Sequence, residues 1–144
     1  MSKPRILFWV SQIHEFDGTS VDLLQQAKGM LERGYSVSIY ARKSSVKNIS
    51  NLIPLETALE IASNPGTIII CHYCGFDRSL LRFHHRFKGK IVLRYQNITP
   101  AKWFWPYSFK GLLYSLSGLL LAVYLLKTKQ IYKVLSASAY SNRE

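Results

Sequence analysis

The sequence predicts an α/β domain built on a doubly wound, mostly parallel sheet. Three observations point there. Continuous apolar runs at 6–10, 68–71 and 91–93 have the composition of strands covered on both faces. Segments with apolar residues at helical spacing lie between them, so strand, loop, helix and strand follow one another down the chain. No internal repeat or low-complexity linker interrupts that alternation, and the arrangement expected is Rossmann-like with right-handed crossovers.

Each element follows from local chemistry. Ile6, Leu7, Phe8, Trp9 and Val10 form the first strand, and 11–18 is a polar loop ending in Asp17 and Gly18. Thr19 or Ser20 caps a helix whose apolar face is Val21, Leu24, Ala27 and Leu31. Gly34 stops it in a left-handed turn after Arg33. Residues 35–40 alternate as a second strand, and 42–51 is a basic loop. Pro54 opens a short helix over 55–62, closed by Asn64, Pro65 and Gly66.

The third strand, 67–71, leads into His72, Tyr73, Cys74 and Gly75. Asp77 caps the next helix, with Leu80, Phe83 and Phe87 on one face, Arg78, Arg82 and Arg86 on another, and Gly89 at its end. The fourth strand, 90–95, breaks into Gln96, Asn97, Ile98, Thr99 and Pro100, then an aromatic cluster that includes Trp103, Trp105 and Tyr107. A long apolar helix over 109–126 and a fifth strand over 131–135 follow. The sequence stops at Glu144 where a further helix is expected to begin, which predicts a single incomplete domain.

With 144 residues, 48% hydrophobic and 19% charged, the chain can bury a substantial core and is not a disordered segment. A formal net charge of +11 predicts attraction to polyanions, among them phosphorylated substrates, anionic lipid surfaces and nucleic acid. No nucleic-acid-binding motif is present, so nucleic acid is not expected as a partner. Two cysteines in an apolar context predict a reducing, cytoplasmic location, and basic and aromatic residues such as Arg82 and Trp103 would place the chain peripherally on the inner face of a membrane. The five apolar residues at 6–10 are too few for the core of a secretory leader.

Open α/β sheets bind ligands outside the carboxyl ends of their strands. The loop Asp17, Gly18 and Thr19 is such a place, because backbone N–H groups at a helix start favour an anion. It lacks the GxGxxG and GxxxxGK[ST] spacings, so a capped turn with nothing bound remains the alternative. Cys71 and Cys74 form a CxxC around His72. Residues three apart on a strand point to opposite faces, however, and a redox pair belongs at a helix start. Neither a metal nor a cofactor is expected. His72 and Tyr73 are better placed to face a cleft.

Arg78, Arg82 and Arg86 make a basic stripe that a solvated helix face explains. With Lys88, Lys90, Lys102, Trp103 and Trp105, the stripe also suits contact with anionic headgroups. Residues 111–126 carry no charge between Lys110 and Lys127, with Leu113, Leu116, Leu120 and Val123 on the more apolar side. At 1.5 Å per residue they span about 24 Å, short of a hydrocarbon core of roughly 30 Å. The first expectation is a buried crossover helix. The second is a helix partly immersed in a bilayer interface, and the third a spanning helix.

With these residues in hand, the chain resembles the amino-terminal domain of GT-B-fold glycosyltransferases of the retaining class called group one. Four places carry the likeness, over almost the whole chain. They are the Asp17-Gly18-Thr19-Ser20 loop with its helix and Arg33-Gly34-Tyr35-Ser36-Val37; His72-Tyr73; Tyr95-Gln96-Asn97-Ile98-Thr99-Pro100; and the closing 136–144. The third is similar to the Tyr-His-Asn-Ile-Thr-Pro wording of a subset of these enzymes. Gln96 replaces its histidine, and glutamine can hydrogen-bond a sugar or phosphate but cannot titrate near neutral pH.

The resemblance implies the acceptor-binding half of a hexosyltransferase-type enzyme. Such an enzyme transfers a sugar from a nucleotide-sugar to a saccharide or lipid-linked acceptor, as in polysaccharide biosynthesis. Asp17, Gly18, Thr19, His72, Tyr73, Gln96, Asn97 and Thr99 would line the cleft. Arg78, Arg82, Arg86, Lys102, Trp103 and Trp105 would touch an anionic membrane. The carboxyl-terminal nucleotide-sugar domain is expected to be absent, so a nucleotide-sugar binds only with a separate donor domain, and no residue here is assigned to catalysis. The alternative is a non-catalytic membrane-surface or partner-binding module on the same fold.

Overall fold

The computed structural model describes residues 3–96, 98–128 and 130–136. Its strands are β1 (Arg5–Ile13), β2 (Val37–Ser44), β3 (Thr67–Tyr73), β4 (Lys90–Tyr95) and β5 (Ile131–Ser136). The helices are α1 (Gly18–Glu32), α2 (Leu55–Ala62), α3 (Arg78–Phe83) and α4 (Phe109–Lys127), with single 3-10 turns at His84–Arg86 and Ala101–Trp103. The sheet runs β2-β1-β3-β4-β5 and every neighbouring pair is parallel. The predicted α/β, Rossmann-like architecture is therefore present, in one small domain.

Alternation along β1 sorts the core into two layers. Ile6, Phe8, Val10 and Ile13 pack with Val37, Ile39 and Ile70 beneath Leu23 and Ala27 of α1. Leu7 and Trp9 pack on the other face with Ile69, Cys71 and Leu93, under α2, α3 and α4. The chain leaves β1 toward one layer and β3 toward the other. A switch in direction between adjacent strands opens a crevice at their carboxyl ends, and the candidate site lies there.

The structure corrects several expectations. β1 and β2 run on to Ile13 and Ser44, past the loops expected from Ser11 and Arg42. The two strands extend each other through the pairs Gln12 with Lys43 and Ile13 with Ser44, a ladder that apolar periodicity does not register. Asp17, rather than Thr19 or Ser20, is the N-cap of α1, its carboxylate accepting from Ser20 N. The buried side of α1 is Ser20, Leu23 and Ala27, and Val21 and Leu31 are exposed. α3 stops at Phe83 and continues as a 3-10 turn, where the His84 Nδ1 lies 3.2 and 2.9 Å from the Leu80 and Leu81 carbonyl oxygens. Gly34 does take the left-handed conformation expected of it, at φ 75°.

The largest correction concerns α4, which crosses over between the parallel strands β4 and β5 as expected but is only partly buried. It rests on the sheet by Ser115, Gly118, Leu121, Ala122 and Leu125, and only 28% of its most apolar stretch is buried. Leu113, Leu116, Leu120 and Val123 face outward. Gly118 stands in this contact because the helix meets backbone there. A Cβ on Gly118 would lie 3.0 Å from Phe76 N and 3.2 Å from the Gly75 carbonyl carbon.

Candidate functional site

Parallel register aligns Val10, His72 and Arg94 in one row across β1, β3 and β4, so all three side chains point toward the α1 layer. α1 begins immediately after Asp17, which brings Asp22 over this row. The Arg94 Nε donates to Asp22 Oδ2 at 2.8 Å, and Gln96 Nε2 donates to the same oxygen at 3.1 Å. The Gln96 backbone continues the ladder, its N–H donating to the Tyr73 carbonyl at 2.7 Å. Desolvation opposes ionisation of Asp22, but hydrogen bonds from Arg94 and Gln26 and the charge of Arg94 outweigh it. Together they hold the carboxyl below its usual range.

His72 lies in the same row, only 3% exposed, with its ring 5.8 Å from that of Phe8. Among the described residues neither of its ring nitrogens has a hydrogen-bond partner. Burial pushes its pKa down to about 4, against the raising effect of Asp22, while Arg94 lowers it further. The imidazole is therefore neutral at pH 7. An unpaired buried donor and acceptor are costly, so this histidine is a polar group in reserve beneath the ion pair.

The other expected site residues fall into separate groups. Asp17 is occupied as a cap, its Oδ2 accepting from Ser20 N at 3.0 Å and Ser20 Oγ at 2.7 Å. Gly18 is exposed and Thr19 half-buried at the same mouth, and a Cβ on Gly18 would meet nothing within 4 Å. Phe16 stands beside them wholly exposed, in the left-handed region at φ 60°. Tyr73 points the opposite way from His72, as strand neighbours must. Its buried hydroxyl donates to the Gly118 carbonyl of α4, and it serves the core rather than the crevice. The exposed Thr99 is tied to α4 through its carbonyl, which accepts from Ser115 Oγ at 2.7 Å. Asn97, together with 137–144, lies outside the described residues.

Sequence reasoning missed Asp22 and Arg94, the two residues that organise the row. Arg94 was visible as a charge near the carboxyl end of a mostly apolar strand, but its partner was not, because the two belong to different elements. Cys71 and Cys74 are free, and burial raises both thiols above their usual pKa, the reverse of an activated redox pair. Among the described residues no three His, Cys, Asp or Glu side chains converge as a metal set would. Surface hollows of about 350 and 600 Å³ lie beside Arg5, Asn64 and Pro4 or Pro65, at the other end of the strands.

The basic and aromatic residues are exposed in two places. Arg78, Arg82 and Arg86 are all exposed beside Leu81 of α3. Leu81 shares a shallow apolar groove of about 280 Å³ with Phe76, Leu120, Leu121 and Tyr124. Trp103, Trp105 and Tyr107 are exposed just before α4, and the Lys102 ammonium lies 5.7 Å from the centre of the Trp103 ring. Comparison with protein-family models, with curated proteins and with solved structures finds no match to this chain.

Proposed function

We propose that this chain is the acceptor-binding half of a GT-B-type glycosyltransferase. The observation that supports the reading is the polar row at the carboxyl edge of the sheet, where Arg94 and Gln96 converge on Asp22 above His72, which has no partner among the described residues. A sugar is recognised by hydroxyls that both donate and accept. The half-exposed Asp22 carboxylate offers acceptors, and the Arg94 guanidinium and Gln96 amide offer donors. Arg94 also fixes the carboxylate's position, so little ordering remains when an acceptor arrives.

The acceptor is a saccharide or a lipid-linked saccharide. In this reading a donor domain holds the nucleotide-sugar, and the described residues bind and orient the acceptor. A membrane surface rich in anionic lipid is the remaining partner, consistent with a net charge of +11. The alternative, a non-catalytic membrane-surface module, is favoured by the outward leucines of α4.

Binding of the full chain to an array of free and lipid-linked saccharides tests the first reading. The expected result is a bound saccharide whose affinity falls at least about tenfold in Arg94→Ala and Gln96→Ala, each the loss of a hydrogen bond to a polar ligand. Binding to no saccharide, or binding indifferent to both substitutions, would leave only the module. Mixing with a separately produced donor domain should then restore sugar transfer, measured with labelled nucleotide-sugar.

A further inference from the structure

We infer that the outward face of α4 is an in-plane membrane anchor, lying in the interface of an anionic bilayer without crossing it. The inference deepens the membrane partner of the proposed reading and rests on that partner, not on the sugar chemistry.

Soluble domains turn leucines inward, whereas α4 buries Leu121 and Leu125 but leaves most of its leucines exposed. Its small residues Ser115, Gly118 and Ala122 face the sheet. Phe109, Leu113, Leu116, Leu120 and Val123 recur every three or four residues on the opposite side, and Leu120 is 71% exposed. A contiguous apolar strip of this kind marks an interaction surface. Charge selects the occupant. Lys102 and Lys110 stand at one end of the strip, Lys127 at the other, and Arg78 and Arg82 flank Leu81 along the groove. No exposed acid lies within 102–128, so the rim suits phosphate headgroups. Trp103, Trp105 and Tyr107, all well exposed, are the residue types that settle at the boundary between headgroups and hydrocarbon.

With 19 residues, α4 is long and apolar enough to span a bilayer on composition alone. Its attachments forbid that. Tyr73 holds the Gly118 carbonyl, Ser115 holds the Thr99 carbonyl, and Leu121 and Leu125 are buried in the core. Crossing would require tearing the helix off the sheet. A helix fastened along one side and apolar along the other lies flat.

The test mixes the full chain with vesicles of phosphatidylglycerol and phosphatidylcholine, or of phosphatidylcholine alone, and reads partition by flotation. Vesicles brominated in their acyl chains report depth through quenching of Trp103 and Trp105, against a constant background from the buried Trp9. We expect partition onto the anionic vesicles that survives in part at about 0.5 M salt, with clear quenching. Leu116→Ser and Leu120→Ser should each weaken it about tenfold with an unchanged unfolding midpoint. Arg82→Gln should weaken only the low-salt binding. Failure to float overturns the inference, as does binding abolished by salt without quenching. A dimer abolished by Leu120→Ser, in a chain that ignores vesicles, overturns it in favour of a second copy. None of these outcomes touches the saccharide assay, which contains no vesicles.

Discussion

Arg94 and Asp22 lie 72 positions apart in the chain and meet at 2.8 Å, joining the fourth strand to the first helix over the head of His72. The pair is half-exposed, so its worth lies in the directed hydrogen bonds rather than in bare Coulomb attraction. Asp22→Ala should lower the unfolding free energy by about 1–2 kcal/mol, because Arg94 and Gln96 both lose their acceptor. Asp22→Asn should cost less, since one oxygen remains. Urea titration of the two variants checks the order.

His72 makes stability depend on pH in a definite window. Its pKa is about 4 in the fold and near 6.5 when unfolded, so between those values the unfolded chain binds more protons. Stability is then full above pH 6.5 and falls by about 3 kcal/mol as the pH drops to 4. Asp22 and Arg94, the charged groups that act on the ring, oppose each other in setting this value. His72→Leu should abolish that loss and add about 1 kcal/mol at pH 7, by removing two unpaired buried nitrogens. Thermal unfolding across the range is the measurement, and a variant as acid-sensitive as the parent would contradict the assignment.

Gly118 and Leu120 should respond in opposite ways to the usual expectation. Gly118→Val drives two methyl groups into the Phe76 and Gly75 backbone and should cost about 2–3 kcal/mol. Leu120→Ser, on the outer face, should change stability by less than about 0.5 kcal/mol. Denaturant midpoints compare them directly. If α4 were turned the other way, the ranking would reverse.

Phe16 is wholly exposed at φ 60°, a conformation that L side chains resist. Phe16→Gly should therefore stabilise the chain by about 0.5–1 kcal/mol, since no packing is lost. The same calorimetric scan of parent and variant reads it.

The order of elements was legible because each signal is local. Apolar runs marked β1, β3 and β4, Asp77 marked the start of α3, and Gly34 marked the end of α1. Where the reading slipped, the deciding interaction was non-local. The ladder between Ile13 and Ser44 lengthened two strands whose ends are polar. Val21 and Leu31 were placed on the buried side of α1 because spacing defines a stripe without saying which edge of it meets the sheet. Of the site, His72 and Gln96 were legible as polar residues leaving a strand, whereas Asp22 required knowing that α1 passes over β4.

By itself, then, the sequence determined an alternating α/β chain, its strand and helix order, and a polar loop after the fourth strand. Periodicity, caps and turn residues act within a few positions, and they suffice for that much. Tertiary packing alone brings Asp22 to Arg94, turns Tyr73 away from His72, and sets Leu113, Leu116 and Leu120 of α4 outward. Those outcomes depend on which surfaces meet, and backbone contact at Gly118 excludes a larger side chain there. The helix therefore turns Ser115, Gly118 and Ala122 inward beside Leu121 and Leu125, and leaves Leu113, Leu116 and Leu120 outside.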